Sequence, residues 1–158
     1  MHSAVSAFIE QMGLASEANG FSRIAGRMIG YLLIEDRPHS LDEIVEQLQV
    51  SKGSVSTNAR LLEHYGIIER HSIPGDRRDY YRIGERPWEK MNELFRERLL
   101  RNLQVFEKGL AEIPAEMTDT RRRLQTWHSF YTFLLEDIEH KLRRWEERLA
   151  AQPGRAEE

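Results

Sequence analysis

The stretch from residue 41 to residue 83 constrains the fold most, because three different patterns follow one another within it. Apolar residues recur at helical spacing over 41–48 and again over 55–62. Ser51, between them, is a good N-cap, since its hydroxyl can accept a hydrogen bond from the unpaired amides of a first turn. The remainder alternates and turns back at Pro74, which predicts a β-hairpin. Helix, short turn, helix and hairpin is the plan of a winged helix-turn-helix.

The second helix of this plan has the chemistry of a DNA-reading helix. A narrow apolar face is opposed by small, polar and basic residues, which can enter a major groove roughly 12 Å wide and reach phosphates and base edges. Arginines at the hairpin tip can enter the adjacent minor groove, and Asp76 would orient one of them. Tyr80 and Tyr81 on the return strand are predicted to face opposite sides, because side chains alternate along a strand. The predicted DNA-binding residues are Ser51, Lys52, Gly53, Ser54, Ser56, Thr57, Asn58, Arg60, Arg77 and Arg78, with Asp76 as support of the wing.

Residues 20–85 also resemble a known family. The segment resembles the MarR-type winged-helix regulators, including their Asp-x-Arg wing, here Asp76-Arg77-Arg78. It is similar to the GbsR-like branch in its Gly26-Arg27 pair, in Gly30, in a Leu-Asp-Glu-Ile helix start and in the Ser51-Lys52-x-Ser54-x-Ser56 pattern. The resemblance implies a dimeric bacterial or archaeal transcription factor. It also implies a cleft between the dimerisation helices and the DNA-binding lobe.

Composition excludes several other classes. A chain of 158 residues without cysteine can hold neither a thiol redox switch nor a cysteine–zinc site. The six histidines show no i, i+4 pair and no HExxH pattern, and no motif of an enzyme is present, so neither a metal nor a cofactor nor catalysis is predicted. No apolar run approaches the roughly 20 residues that span a bilayer, and the N-terminus lacks the pattern of a signal peptide. We therefore expect a cytoplasmic protein that does not bind membranes.

Positive charge collects where DNA contact is predicted. Residues 51–86 carry seven Lys or Arg and five Asp or Glu, whereas residues 1–50 carry three and seven, although the whole chain has a net charge of −3. The local excess is small. Tight binding to DNA would therefore need two copies of the module.

The flanking segments predict helices that need partners. Residues 3–14 predict a short helix with no evident partner inside the winged helix, ended by breaks at Gly13 and at Asn19-Gly20. Residues 21–35 predict an apolar helix whose Gly26 and Gly30 allow two interpretations, close packing against another helix or room for a small ligand. Pro87 begins a long amphipathic helix that extends to about residue 110. A second long helix over 115–150 has the 3-4 apolar alternation of a coiled coil, which predicts a partner subunit.

The predicted fold is mainly α with a small β-hairpin, a winged helix-turn-helix with long N- and C-terminal dimerisation helices. Its predicted parts are an N-terminal dimerisation helix over 1–20, the DNA-binding domain over 21–86, a helical dimerisation region over 87–150 and a disordered tail over 151–158. The predicted function is that of a homodimeric regulator, most simply a repressor, that binds a palindromic double-stranded operator. The alternative is a winged-helix adaptor for other proteins, which would show larger apolar residues on the second helix.

Aromatic residues at the implied cleft have two interpretations. The aromatics able to line it are Phe21, Tyr31, Trp88, Phe95, Trp127 and Tyr131. Of these, Tyr31, Trp88, Phe95 and Trp127 are singled out as either the pocket of a small-molecule effector or part of the core. An aromatic cage would suit a quaternary ammonium by cation–π attraction. The resemblance points the same way, because regulators of the GbsR-like branch are associated with choline-type osmoprotectant uptake.

Overall fold

The computed structural model describes residues 3–151, which form six helices and three short strands. The predicted class, mainly helical with a small β-sheet, is confirmed. The predicted disordered tail lies, apart from residue 151, outside the described residues. In chain order the elements are α1 (Ser3–Ala18), α2 (Arg23–Ile34), β1 (His39–Ser40), α3 (Leu41–Leu48), α4 (Lys52–His64), β2 (Ile68–His71), β3 (Tyr80–Ile83), α5 (Pro87–Glu112) and α6 (Thr118–Ala150).

The chain divides into two compact units at Met91, inside α5. The first unit holds one apolar core, to which all of the first four helices contribute. Its fully buried side chains include Met28, Ile44, Val55 and Leu62. The predicted division of the chain at residue 86 stays a prediction.

Helix α1 packs along α2 of the same chain, so the expectation that it has no partner within the winged-helix unit is wrong. The helix also continues through Gly13, which is buried, and ends only before Gly20. Gly13 is small enough to lie against the side chains of Arg23 and Arg27, and it therefore serves as a contact point rather than a break.

Gly26 and Gly30 are where the two helices come closest. A methyl group on Gly26 would overlap the backbone oxygen of Met12 and the Cβ of Ser16, and one on Gly30 would lie 3.0 Å from the Cβ of Met12. Of the two interpretations of these glycines, close helix packing is the one the structure shows. The space beside them is filled by α1.

Serine caps set the starts of three successive helices. The Ser22 hydroxyl accepts from the Ala25 amide at 2.9 Å, and Ser51 caps α4. The predicted capping box at α3 is present, since Ser40 accepts from the Glu43 amide while its own amide donates to the Glu43 carboxylate at 2.8 Å. Burial opposes ionisation of Glu43, but hydrogen bonds from Ser40 and Arg37 outweigh it and lower the Glu43 pKa to about 2. The helix-turn-helix is thus fixed by its own local sequence.

The sheet has three strands in the order β1-β3-β2, one more than the predicted hairpin. The two-residue strand β1 pairs His39 with Tyr81 and Ser40 with Tyr80. Tyr80 and Tyr81 are both buried. Tyr81 belongs to the apolar core, whereas the Tyr80 hydroxyl donates to Asp76 and its ring lies 5.4 Å from the Arg78 guanidinium, so the outward ring is covered by the wing tip rather than exposed. A two-residue strand has too short a period to be recognised in a sequence.

In the second unit α5 and α6 run antiparallel, with Phe106 against Tyr131 at 5.4 Å between ring centroids. The Arg121 guanidinium donates to the carbonyl oxygens of Leu110 and Ile113, at 2.6 and 2.7 Å, and so satisfies unpaired groups at the end of α5. Helix α6 begins at Thr118, three residues later than predicted, because a turn follows Pro114.

Two glycine substitutions should have opposite effects on stability. We expect Gly26→Ala to lower the free energy of unfolding by roughly 1–3 kcal/mol, because its Cβ has no room between α1 and α2. Gly53→Ala, in the open first turn of α4, should leave stability unchanged or raise it by up to about 1 kcal/mol. Urea denaturation of the two variants and the wild type measures both. Equal stability of the two variants would contradict the close approach of the helices.

Candidate nucleic-acid interface

Helix α4 begins at a well-formed cap. The Ser51 hydroxyl accepts from the Ser54 amide at 3.2 Å. The Lys52 ammonium lies 2.7 Å from a carboxylate oxygen of Asp42 on α3, and both side chains are more than half exposed. Exposed pairs of this kind stabilise a fold little, so an approaching phosphate can replace the carboxylate at little cost.

The inner side of α4 carries the predicted apolar face and one residue more. Val55, Ala59 and Leu62 are buried in the core. Asn58 lies among them with 8% of its surface exposed, because positions three and four apart share one face of a helix. The structure therefore places Asn58 in the interior and not on the side that was predicted to meet DNA.

The outer face of α4, defined here as Gly53, Ser56, Thr57 and Arg60, is open to solvent. Ser56 is half-buried and the other three are exposed. An added Cβ on Gly53 would meet nothing within 4 Å, so a ligand can approach the backbone of the first turn. Within residues 3–151, no carboxylate pairs with Arg60, and its guanidinium is available to a phosphate or a base. Ser54 lies half-buried at the edge of this face.

The wing tip is organised by Asp76. Gly75 has a φ of +84°, a left-handed conformation that glycine adopts without strain, and the Asp76 amide closes the turn on the carbonyl of Ile73. The Asp76 carboxylate accepts from the Arg78 guanidinium at 2.6–3.1 Å, from the Arg78 amide at 2.9 Å and from the Tyr80 hydroxyl at 2.8 Å. These hydrogen bonds hold the pKa of Asp76 well below its usual range. The arginine that Asp76 orients is thus Arg78.

The arginines on the wing strands are neutralised, which the sequence pattern did not indicate. Arg77 at the tip is exposed and has no carboxylate partner in the described part of the chain. By contrast, the strand arginines form ion pairs, Arg70 with Glu63 and Asp79, and Arg82 with Glu69 and Glu85. Glu63 lies on α4 and the other three acids are in the wing, so these pairs appear only when the chain is folded. Among the arginines of α4 and the wing, Arg60 and Arg77 are thus the ones without a carboxylate partner in the described residues.

The four aromatic residues predicted for an effector pocket have different surroundings. Tyr31 is buried in the core of the first unit, where its hydroxyl lies 2.8 Å from His39 Nδ1 and burial raises its pKa to about 12. Trp88 is half-buried at the start of α5, and Phe95 is 39% exposed. Trp127 is 53% exposed and contacts the rings of its neighbours on α6. Of the two interpretations, pocket or core, the structure therefore shows the core one for Tyr31.

The first unit contains an open, mostly apolar cavity of about 480 Å³, and Phe21 is the one lining residue that the sequence analysis named for a pocket. Its wall is made by four helices, the loop between α1 and α2, and Ile67 just before β2, so no single segment of the sequence carries its pattern. The lining residues are Met12, Ala15, Ser16, Asn19, Phe21, Ala25, Ile29, Leu62, Ile67 and Met91.

Two further kinds of site are not found in residues 3–151. No group of three or more His, Asp or Glu side chains there could hold a metal ion. No described helix is both long and apolar enough to cross a membrane.

Comparison with known proteins identifies the family. Residues 19–79 match the model of the MarR family, and residues 86–148 match that of the MmpR5-like MarR family transcriptional regulators. The HTH-type transcriptional regulator MmpR5 of Mycobacterium tuberculosis is 34% identical over 143 residues, covering 89% of this chain and 86% of that protein. The chain belongs to the MarR family.

Other proteins similar to this MarR-family chain are also transcriptional regulators. The putative HTH-type transcriptional regulator YvaV of Bacillus subtilis is 25% identical over 148 residues, which cover 84% of each chain. A crystal structure described as that of a transcriptional regulator is similar with a TM-score of 0.80 and 29% identity, over 91% of this chain and 99% of that one. The protein is accordingly a MarR-type transcriptional regulator and not an enzyme, and its predicted winged-helix architecture is confirmed.

Asp76→Asn separates two electrostatic effects at the wing. Removal of a negative charge would by simple Coulomb attraction raise the affinity for duplex DNA. If Asp76 aims Arg78, however, the affinity should fall by about tenfold, because charge-assisted hydrogen bonds are lost. Asp79→Asn is the matched control, since it makes the same charge change beside Arg70. Fluorescence anisotropy titrations measure the affinities, and tighter binding by Asp76→Asn would contradict the orienting role.

Proposed function

We propose that this MarR-family regulator acts as a homodimer that binds a roughly palindromic double-stranded operator in a sequence-specific manner and represses transcription. Two recognition helices related by a two-fold axis would enter successive major grooves about one helical turn apart. A dimer bound in this way covers promoter DNA, and repression follows from that steric exclusion. Such a protein acts where the chromosome is, in the cytoplasm.

The outer face of α4 is the observation that carries the proposal. It combines an exposed helix start, a glycine that leaves the backbone open, and the hydroxyls of Ser56 and Thr57 beside the unpaired Arg60. These groups can hydrogen-bond to phosphates and base edges. The alternative function, an adaptor for other proteins, would present large apolar residues on this face, and α4 exposes none there.

The homodimer is supported by apolar surface on α6. This helix has 33 residues, and none of them is buried within the described chain. Trp127 and Phe130 are 53% and 47% exposed and lie on one side of the helix. Helix α1 also exposes Phe8 and Leu14, although its other side is packed on α2. A second copy that covers these residues would account for both surfaces, in keeping with the predicted dimerisation regions 1–20 and 87–150.

Replacing the α6 aromatics should disrupt the dimer. We expect Trp127→Asp with Phe130→Asp to give monomers or aggregates, because each change would place a charge in an apolar interface. Gln125→Asp with Ser129→Asp, on the far side of the same helix, is the matched control and should remain dimeric. Sedimentation at micromolar concentration distinguishes the species. A wild-type protein that sediments as a monomer would exclude the homodimer.

Arginines of the helix and the wing should differ in how they affect binding. Arg60→Ala should cost on the order of 1–3 kcal/mol on a preferred duplex and less on random DNA, because in this proposal Arg60 reads bases. Arg78→Ala should weaken both duplexes and lower the dependence on salt, since its contacts are mainly to the backbone or minor groove. Arg98→Ala on α5 is the control. Titrations at two salt concentrations, with a duplex selected by the wild type from a random pool, test this.

Two results would count against these roles. Equal weakening of both duplexes by Arg60→Ala, with altered base preference in Arg78→Ala, would reverse them. Wild-type affinity that does not change between low and physiological salt would exclude binding to duplex DNA.

The cavity supports the proposal of a small-molecule effector. Its volume of about 480 Å³ falls within the roughly 300–1,000 Å³ of ligand pockets, and its wall is mostly apolar. Methionine, isoleucine and leucine outnumber aromatic residues in the wall, in which Phe21 is the only ring, so an uncharged apolar molecule suits it better than a quaternary ammonium. Membership of the GbsR-like branch stays a prediction, since residues 86–148 match the MmpR5-like model.

An uncharged fluorophore tests the cavity directly. We expect N-phenyl-1-naphthylamine to bind with increased fluorescence, and Ala15→Trp to abolish that binding because the indole would fill the space. Glu17→Trp adds the same ring on an α1 residue that does not line the cavity and should leave binding intact. Binding that survives Ala15→Trp would place the fluorophore elsewhere.

A further inference from the structure

Asn58 is a buried polar residue whose hydrogen bonds join two helices. Its Oδ1 accepts from the Ser22 hydroxyl at 2.5 Å, and its Nδ2 donates to the carbonyl of Ser54 at 2.8 Å. Ser22 uses its oxygen twice, because it also accepts from the Ala25 amide as the cap of α2. A single serine thus caps the start of α2 and bonds to the buried Asn58 side chain on the inner side of α4.

Further hydrogen bonds extend the Ser22–Asn58 connection from both of its ends. Towards the surface, Ser54 belongs to the first turn of α4, where its amide and hydroxyl both contact the Ser51 hydroxyl. Away from α4, the carbonyl of Ser22 accepts from the Ser16 hydroxyl at 3.1 Å, and Ser16 lines the apolar cavity. A continuous set of hydrogen bonds therefore runs from the cavity wall to the first turn of the recognition helix.

The other contacts of the inner side of α4 lack this directionality. Val55, Ala59 and Leu62 pack by apolar contact, which fixes the distance of a helix from the core but resists a small rotation or slide only weakly. A hydrogen bond demands both a short distance and a narrow angle. A buried amide left without its partner would be costly, so the helix is held where both bonds of Asn58 can form.

We propose that Asn58 is a positioning residue for DNA recognition. Together with Ser22 it sets the rotation of α4, and so decides which of Ser56, Thr57 and Arg60 face the bases. The proposal rests on the proposed DNA-binding function, and it replaces the predicted direct contact of Asn58 with DNA. It assigns to Ser22, outside the helix-turn-helix, a part in base preference.

Two substitutions of Ser22 test the link without removing the helix cap. Ser22→Thr keeps both the cap acceptor and the donor to Asn58. Ser22→Asp keeps the cap acceptor, since aspartate is a good N-cap, but at neutral pH it offers Asn58 Oδ1 no proton. Asn58→Asp is the reciprocal change, because aspartate can accept from Ser22 but cannot donate to the Ser54 carbonyl.

The readouts are affinity for a duplex selected by the wild type from a random pool, affinity for random duplexes, and the base preference of each variant in a new selection. We expect Ser22→Asp and Asn58→Asp to lose about tenfold in affinity for the selected duplex, with little loss on random DNA and with a changed base preference. Ser22→Thr should match the wild type. Thermal unfolding of each variant shows that the fold is retained, and if Asn58→Asp does not fold, the two Ser22 variants still decide the matter.

The failures of the two proposals are distinguishable. A wild type that selects no duplex would overturn the DNA-binding function itself. A wild type that binds while Ser22→Asp binds with unchanged affinity and preference would overturn the positioning role alone. Loss confined to Asn58→Asp, with Ser22→Asp like the wild type, would restore a direct contact of Asn58 with DNA.

Discussion

The contact between α1 and α2 is the constraint on which the rest of the first unit depends. Gly26 and Gly30 remove the side chains that would hold these helices apart, and Gly13 does the same from the other helix. Because the backbones come so close, Arg27 of α2 can form an ion pair with Glu10 of α1 at 2.7 Å and still donate to the Leu48 carbonyl at 2.8 Å. One guanidinium thereby ties the N-terminal helix to the end of α3, where it also opposes the negative end of the helix dipole.

Helix α4 packs on the core that this contact helps to form. Its inner side puts three apolar residues into the shared core and bonds the Asn58 amide to Ser22, the cap of α2, while its outer side remains small and polar. A recognition helix needs both properties, since a helix that binds a groove with few contacts must already be held in the correct orientation. The separation of the two roles onto opposite sides of 13 residues is a consequence of helical periodicity.

Patterns that act over a few residues were predicted well. The caps at Ser40 and Ser51, the start of α5 at Pro87 and the turn before Asp76 each depend on neighbours within four positions. The errors lie where distant segments decide. The short strand β1 makes β3 the central strand of the sheet, and the glycines of α2 give α1 a partner within the chain, and neither effect has a local signature.

The candidate site shows the same division. The exposed residues of α4 follow from its apolar period, and the orientation of Arg78 follows from an acid two residues away. Asn58 was predicted to contact DNA because its amide can hydrogen-bond to phosphates and base edges, although its position in the period is that of a core residue. Its partner Ser22 is 36 residues distant, and the cavity is lined by four helices and two loop segments, so only the folded chain brings these groups together.

The ion pairs of the wing strands bear on how such a regulator searches a genome. Arg70 and Arg82 already have carboxylate partners, so they release few counterions when DNA approaches. Non-specific affinity depends mainly on that release, and a protein with few unpaired cations spends little time on the very many wrong sites of a chromosome. The acidic residues of the wing would then lower the affinity for non-specific DNA. A larger share of the protein would remain free to find its operator, at the cost of a slower first encounter with DNA.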